Sequence, residues 1–362
     1  MPSLDIFLQP EIFLIWTSVL KTSVLLGIVL TMVAYSVWAE RKVSAFIQDR
    51  VGPNRVGWSG LIQPVADGVK LLLKENFVPA GVNKFYFTIA PSLAMVPAIL
   101  VLAVLPFGSS LFGVPMVIAD LQIGVLWVFA VSSLGVYGIV LAGWSSNSKY
   151  PFLGGIRSSS QMISYELSLG LSVIPVFMIT GTLNLPEIVQ FQVANGWMVF
   201  PFSMQGFSLE KLLLWIPMAV SFVVFMVAMF AETNRLPFDL PEAEQELIGG
   251  YHTEYSSMRF ALFFLGEYAA MIAGAGVIVT LFLGGWSLPF VPDGGQGWVW
   301  GLINIGTFLG KIAAIIFFFL WVRWTLPRFR FDQLMKLGWY AFFEIALVNI
   351  FLTAGILAYL KS

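Results

Sequence analysis

Cysteine is absent from this chain of 362 residues, and histidine occurs once, at His252. Without cysteine, the chain forms no disulfide, no thiolate zinc site and no iron–sulfur cluster held by its own side chains. A single histidine argues equally against a histidine-rich metal site, so we expect no metal ligands. Any redox chemistry in which the chain takes part therefore needs electrons brought by another protein chain.

Charge is also scarce, because only 11% of the residues are charged whereas 58% are hydrophobic. Soluble domains carry roughly 25% charged residues, which places this chain outside that class. The mean hydropathy of +0.86 indicates an integral membrane protein. A net charge of −1 argues against a general polyanion binder. The first apolar run lacks a basic preceding segment, so we interpret it as a membrane span rather than a cleaved signal peptide.

Eight apolar stretches approach the roughly 20 residues that a transmembrane helix needs. The fold class that we predict is therefore an all-α integral membrane protein, with an additional amphipathic helix in the first connection. No internal repeat, low-complexity segment or linker divides the chain, so residues 1–362 are predicted to form one membrane domain. The predicted spans cover about 11–37, 86–106, 119–143, 161–181, 211–231, 259–284, 298–322 and 339–360.

Basic residues cluster in alternate connections between these spans. Of the 19 Lys and Arg residues, most lie in or beside connections 38–85, 144–160, 232–258 and 323–338. Short loops rich in Lys and Arg remain in the cytoplasm. The pattern predicts that these connections are cytoplasmic and that both termini lie on the outer side.

The first of these connections contains an amphipathic segment at residues 59–75. Its apolar residues follow helical spacing, and Gln63, Asp67, Lys70 and Lys74 share another face. The segment suits a helix that lies in the membrane interface, either as an anchor or along a cavity. Ahead of it, Glu40 and Arg41 stand where the first span ends. They fit either a stop-transfer cluster or a paired, partly buried site.

Residues 232–259, which we call the acidic connection, depart from the basic pattern. Six acidic residues oppose only Arg235 and Arg259. Acidic residues contribute little to topology, so membrane insertion does not explain them. Crowded carboxylates repel one another, which raises some of their pKa values and suits proton transfer. A solvated acidic loop without function remains the alternative. The acids are Glu232, Asp239, Glu242, Glu244, Glu246 and Glu254.

Ionisable residues also occur within the spans. Such residues are functional candidates because a charge at mid-membrane costs several kcal/mol. Glu166 and Glu267 lie one to two turns from the cytoplasmic ends of their helices, and the hydroxyls of Ser164 and Tyr165 are candidate partners for Glu166. With Glu232, they suggest a proton route from the acidic connection. The alternative is neutral carboxyls bonded to neighbouring helices. The cases for Lys21, Lys311 and Glu344 are weaker.

Several motifs together resemble the H-subunit family of bacterial proton-translocating NADH:quinone oxidoreductase (complex I), the family known as subunit 1 in mitochondria. The string Glu-Thr-Asn-Arg-Leu-Pro-Phe-Asp at 232–239 is long and specific, and Arg-Val-Gly-Pro-Asn at 50–54 precedes it in the expected order. The resemblance covers nearly the whole chain. The other matching stretches are Ala-Glu-Arg-Lys at 39–42, 63–71, Ile-Ser-Tyr-Glu at 163–166, 239–242, 254–255 and 263–268.

The resemblance implies a membrane protein that anchors the peripheral redox arm and contributes to a chamber for quinone, the substrate. FMN and iron–sulfur clusters would belong to partner subunits, and antiporter-like membrane subunits would be further partners. The implied location is the bacterial inner membrane. The implied proton path contains Glu166, Glu232 and Glu267. The implied quinone-chamber residues are Glu40, Arg41, Arg50, Asp67, Lys70, Arg235, Asp239, Glu242, Glu244, Glu246 and Glu254.

Three alternatives stay open at the level of the sequence. Relatives in membrane-bound hydrogenases and related dehydrogenases share parts of these motifs, so the electron donor is not fixed. A stand-alone ion carrier is the second alternative, and the absence of an internal repeat counts against it. The third is a purely structural anchor, which would tolerate neutral substitutions of the intramembrane glutamates.

Overall fold

The computed structural model describes residues 10–199, 209–242, 244–288 and 297–361. At 10–15, 209–211, 244–245 and 361 it describes the backbone only. Helices dominate the described part, and a short hairpin pairs β1 (Ser110–Leu111) with β2 (Val114–Pro115). The helices are α1 Pro10–Ile47, α2 Gln63–Leu73, α3 Lys84–Leu102, α4 Gly124–Ser132, α5 Leu134–Ser145, α6 Lys149–Thr180, α7 Leu185–Asn195, α8 Leu209–Glu232, α9 Glu244–Leu247, α10 Ser257–Phe282, α11 Trp298–Thr325, α12 Phe331–Lys336 and α13 Phe343–Lys361, with a π-helical segment at Leu337–Phe342 that joins the last two.

Eight helical segments of the described residues are long and apolar enough to cross a membrane, which confirms the predicted all-α membrane fold. Several helices extend beyond the spans that hydropathy predicts. Helix α1 continues ten residues past position 37, α6 begins at Lys149 rather than at 161, and the last span begins at Phe331 rather than at 339. Hydropathy marks where a chain turns polar, whereas backbone hydrogen bonds carry a helix onward through polar residues.

Helix α10 lies at the centre of the bundle. Within its most apolar window 72% of the residues are buried, compared with 17% in the first and last spans. Small residues allow close approach of backbones around it. A Cβ atom at Gly266 of α10 would lie 3.1 Å from the Cα atom of Met95 in α3. Such small-residue contacts are the usual basis of helix packing in membranes.

The amphipathic helix predicted in the first connection is present as α2. It follows a 3-10 turn at Trp58–Gly60 and packs beside α1 and α10. The hydroxyl of Ser257 donates a hydrogen bond to the carbonyl of Leu71 at 3.0 Å. Its apolar side chains, including Val65 and Leu72, remain exposed in the isolated chain. The single-domain organisation of residues 1–362 stays a prediction.

The connection between the fourth and fifth predicted spans, 182–210, contains helix α7. The side chain of Asn184 caps this helix by accepting a hydrogen bond from the backbone N–H of Glu187 at 3.1 Å. Asn before Leu-Pro-Glu is a typical helix start, so the signal was present in the sequence. Part of this connection and of 285–297 lies outside the described residues.

The two lysines within spans have backbone partners. The ammonium of Lys311 donates to the carbonyls of Leu283, Gly285 and Ser287 at 2.6, 2.8 and 2.7 Å. The ammonium of Lys21 donates to the carbonyl of Val117 at 3.2 Å. These contacts account for both cations as links between their own helices and neighbouring loops.

Candidate functional site

The start of the acidic connection is held against α6 by one buried amide. Nε2 of Gln161 donates to the carbonyls of Ala231 and Phe238, both at 2.8 Å, and lies 3.1 Å from Oδ1 of Asn234. Asn234 adopts a left-handed backbone with a φ of 50°, a conformation that asparagine tolerates better than most residues. The chain therefore folds back under the bundle directly after α8, which brings Arg235 and Asp239 inward.

Four separate chain segments meet at an ion-pair cluster, which we call the Glu40 cluster. Nη1 of Arg235 lies 3.2 Å from Oε2 of Glu40, and Nε of Arg235 lies 2.7 Å from Oε1 of Glu267. Arg323 at the end of α11 also pairs with Glu40. The side chains of Arg235, Glu40 and Glu267 are 7%, 13% and 13% exposed. We call this end of the bundle the charged end.

Tyr268 completes the Glu40 cluster. Its hydroxyl donates to Oε2 of Glu40 at 2.6 Å, and the guanidinium of Arg235 lies 4.3 Å from its ring centroid. Burial opposes the charge on Arg235, but Glu267, Tyr268 and Glu40 outweigh it and hold the pKa of Arg235 well above its usual value. Arg235 is therefore a permanent cation between two carboxyls.

Two further acids of the acidic connection are buried near the cluster. Asp239 accepts a hydrogen bond from Nη2 of Arg328 at 3.0 Å, and burial raises its pKa although Arg328 and Arg323 partly offset the effect. Burial, with the charges of Glu267 and Asp239, holds the pKa of Glu242 well above its usual value. These two carboxyls gain protons more readily than solvated ones.

The only histidine of the sequence lies beside Glu242. Nδ1 of His252 is 3.7 Å from Oε1 of Glu242, which is too long for a hydrogen bond, and the hydroxyl of Tyr251 reaches the same oxygen at 3.4 Å. Burial lowers the pKa of His252 from 6.5 to about 4. The imidazole is therefore neutral at physiological pH and leaves Glu242 without a cationic partner on this side.

A partly open cavity of about 110 Å³ lies between α3, α4, α5, α6, α8 and α10. Glu166, Glu232 and Glu267 all line it, which brings together the three glutamates singled out in the sequence. One water molecule needs roughly 10–15 Å³ of cavity volume, so this cavity has room for several water molecules. Oε2 of Glu232 is buried and has no hydrogen-bond partner among the described residues. We call this space the glutamate cavity.

The hydroxyls expected to bond Glu166 donate instead to backbone carbonyls. Ser164 donates to the carbonyl of Ser160 at 2.6 Å, and Tyr165 donates to the carbonyl of Leu334 at 2.9 Å. Both side chains point away from the glutamate because successive residues of a helix face different directions. The expectation was therefore wrong, and Glu166 faces the glutamate cavity without these partners.

Other candidates lie on the surface of the charged end. Asp67 pairs with Arg41 at 2.7 Å and approaches Lys70 at 3.8 Å, whereas Glu246 pairs with Arg157 at 2.6 Å. Glu40 is thus part of a buried pair rather than a stop-transfer charge, while Arg41 is exposed. Three candidates remain: Arg50 bonds Gln48 at 2.7 Å, Glu254 is half-buried, and the side chain of Glu244 lies outside the described residues.

Sequence reasoning included Arg235 but missed the other two cations of the buried ion pairs. Arg323 and Arg328 were interpreted only as orientation signals, yet they pair with Glu40 and Asp239. Tyr268 follows Glu267 in the chain, and no signal in the sequence indicates its hydrogen bond to Glu40. The described residues contain no group of three or more His, Asp or Glu residues arranged to hold a metal ion.

Comparison with known proteins finds a matching family and several similar proteins. A family model described as NADH dehydrogenase matches residues 20–354. A Geobacter metallireducens protein, named as an H subunit of NADH-quinone oxidoreductase, is 50% identical over 93% of this chain and 95% of its own length. Proteins with the same name from Rhodospirillum rubrum and Flavobacterium johnsoniae are 49% and 45% identical. They cover 95% and 92% of this chain, and 95% and 93% of their own lengths.

Proposed function

The chain belongs to the NADH dehydrogenase family, and from that premise we propose that it is the membrane subunit of an NADH:quinone oxidoreductase that couples quinone reduction to proton translocation. One observation carries the coupling role. Glu166, Glu232 and Glu267 line a single cavity, and Glu267 is also paired with Arg235 of the acidic connection. A proton that enters the acidic connection therefore has titratable groups leading into the bundle.

The quinone chamber would form at the charged end, between the acidic connection and the first connection, which contains α2. Reduction of a quinone to a quinol consumes two electrons and two protons. Burial raises the pKa values of Asp239 and Glu242. These carboxyls are therefore suited to donate protons to the quinone and to be protonated again afterwards. Arg235 and Arg323 would respond to the changed charge, because both pair with Glu40.

The proton route would run from the Glu40 cluster through the glutamate cavity. Water molecules in the cavity would link the carboxyls, since it has room for several and polar partners at its wall. Mid-membrane carboxyls are costly and therefore usually functional. The alternative role, a purely structural anchor, has no need for three glutamates around one cavity.

Electrons would arrive from partner subunits that carry FMN and iron–sulfur clusters, because this sequence has no cysteine. The names of the relatives support NADH rather than hydrogen as the donor. Further partners would be the peripheral-arm subunits at the quinone site and antiporter-like membrane subunits. We place the chain in the bacterial inner membrane, with the charged end in the cytoplasm and both termini outside.

The chamber assignment is tested with Asp67→Asn in the assembled complex. The change weakens the acceptor for Arg41 and Gln63, so we expect NADH:quinone activity to fall roughly tenfold, about 1.4 kcal/mol in the barrier. NADH oxidation by a water-soluble artificial acceptor should survive, because that reaction bypasses quinone. The matched control is Asp332→Asn, an exposed acid paired with Arg330. Equal activity in Asp67→Asn and the control would contradict the assignment.

A further inference from the structure

Helix α13 has one face that packs inward and one that does not. On the inner face Asn349 donates to the carbonyl of Pro217 and to the hydroxyl of Ser221, both at 2.9 Å, and Thr353 is fully buried. On the outer face Val348 and Phe351 are 64% and 69% exposed, and Tyr340 of the preceding π-helical segment is 73% exposed. Because residues three or four apart share a helix face, these side chains form one continuous stripe.

Glu344 lies within this outer stripe, four residues after Tyr340 and four before Val348. The side chain is exposed, and no described residue offers it a hydrogen bond or an ion pair. It stands eight residues beyond Lys336, the charged residue that precedes it in the chain, which is roughly 12 Å along a helix, and it lies within the last apolar segment long enough to cross a membrane. That depth falls within a hydrocarbon core about 30 Å thick.

A carboxyl that faces lipid at this depth is unfavourable by several kcal/mol if ionised, and it lacks a hydrogen-bond partner if neutral. Acyl chains offer no donor. A second copy of this chain packed side by side through the same stripe would bring Glu344 against Glu344, because Lys336, the cation of this surface, lies about two helical turns away. The carboxyl of Glu344 therefore needs a partner on the surface of a different protein chain.

A shallow, open groove next to Glu344 is in keeping with the same conclusion. A groove of about 420 Å³ extends from Glu344 towards the charged end along the outer side of the π-helical segment. The inner side of that segment is fixed to α6, because Trp339 donates to the hydroxyl of Ser164 at 3.0 Å. The groove is lined by Met335, Lys336, Trp339, Tyr340, Phe343 and Glu344.

We propose that the outer stripe of α13 is the docking surface for a transmembrane helix of another membrane subunit, which presents a hydrogen-bond donor or a cationic side chain to Glu344. Bulky side chains of that helix fill the groove beside Trp339 and Tyr340. Contact with protein removes Glu344 from lipid and satisfies it, as intramembrane carboxyls in bundles require. This surface is separate from the quinone chamber and does not depend on it.

The test is photo-crosslinking within the assembled complex in native membranes. A photoreactive amino acid at Phe351 is expected to yield an adduct with a different membrane subunit. Glu344→Leu should reduce that adduct several-fold, and Glu344→Gln, which keeps hydrogen-bonding capacity, should largely restore it. The same probe at Val223, a 55% exposed residue of α8, is the control and should be unaffected by Glu344→Leu.

Three results would overturn the proposal. These are adducts only with lipid, adducts only with a second copy of this chain, and a heterologous adduct that Glu344→Leu leaves unchanged. Co-purification of the complex establishes in each variant that the chain is folded and assembled. If Glu344→Leu detaches one membrane subunit while Glu344→Gln retains it, that loss supports the proposal as well.

Discussion

Nε of Arg235 lies 2.7 Å from a carboxylate oxygen of Glu267, so a residue of the acidic connection pairs with a glutamate that lines the glutamate cavity. The same guanidinium lies 3.2 Å from Glu40 of α1. One cation therefore joins the charged end to the interior of the bundle. Any movement of the acidic connection changes the charge environment of Glu267.

Arg235→Met is expected to destabilise the complex and to abolish NADH:quinone activity. Removal of one partner of a buried pair leaves an uncompensated charge and costs roughly 3–5 kcal/mol, and Arg235 is only 7% exposed. Thermal unfolding of the purified complex and quinone reductase assays measure the two effects. Arg330→Met removes a cation whose side chain is 76% exposed and should change neither. Equal behaviour of both variants would contradict the role of the Glu40 cluster.

The spans and the acidic members of the site were predictable because each leaves a local signal. Runs of apolar residues mark the eight helices, and Glu166, Glu232 and Glu267 stand out as ionisable residues in or beside apolar segments. Their similar depth suggested a proton route, whereas their position around one cavity is visible only in the structure. Periodicity and polarity within one segment are sufficient to predict the spans and these acids.

The partners of these acids were not predictable, since they depend on packing between distant segments. Glu40 and Arg323 are 283 residues apart, and nothing near either residue indicates the other. The same limitation applies to Lys311, whose three carbonyl partners lie in a loop after another helix. The early start of α6 at Lys149 was missed because its first turns are polar and glycine-rich.

Gln161→Leu is expected to loosen the acidic connection. The substitution removes the donor for the carbonyls of Ala231 and Phe238, and each unsatisfied buried group costs about 1–3 kcal/mol. Hydrogen exchange of residues 233–242 in the assembled complex should become faster. Ser159→Ala, which removes an exposed hydroxyl on the same helix, is the control. Unchanged exchange in Gln161→Leu would show that the amide does not hold this connection.

The burial of His252 predicts a loss of stability in acid. Its pKa is about 4 in the folded chain instead of 6.5, so the unfolded state binds more protons between those values. The stability that the neutral imidazole contributes is complete above pH 6.5 and falls as the pH drops towards about 4. The loss is on the order of 3 kcal/mol.

His252→Gln tests this dependence, because glutamine does not titrate. The midpoint of thermal unfolding of the complex should fall less steeply between pH 6.5 and about 4 in the variant than in the unmodified protein. Parallel curves for the two proteins would show that other groups cause the acid sensitivity.

The central claim is that the glutamate cavity carries protons during quinone reduction, and Glu232→Gln in reconstituted complex tests it most directly. The amide keeps the shape but does not titrate, and Oε2 of Glu232 has no partner among the described residues to lose. The measurement is proton uptake and NADH:quinone turnover in the same vesicles, with Glu187→Gln at the opposite end of the bundle as control. We predict at least a several-fold loss of proton translocation in Glu232→Gln, while NADH oxidation by an artificial acceptor is unchanged. Proton translocation at the level of the control would contradict the account.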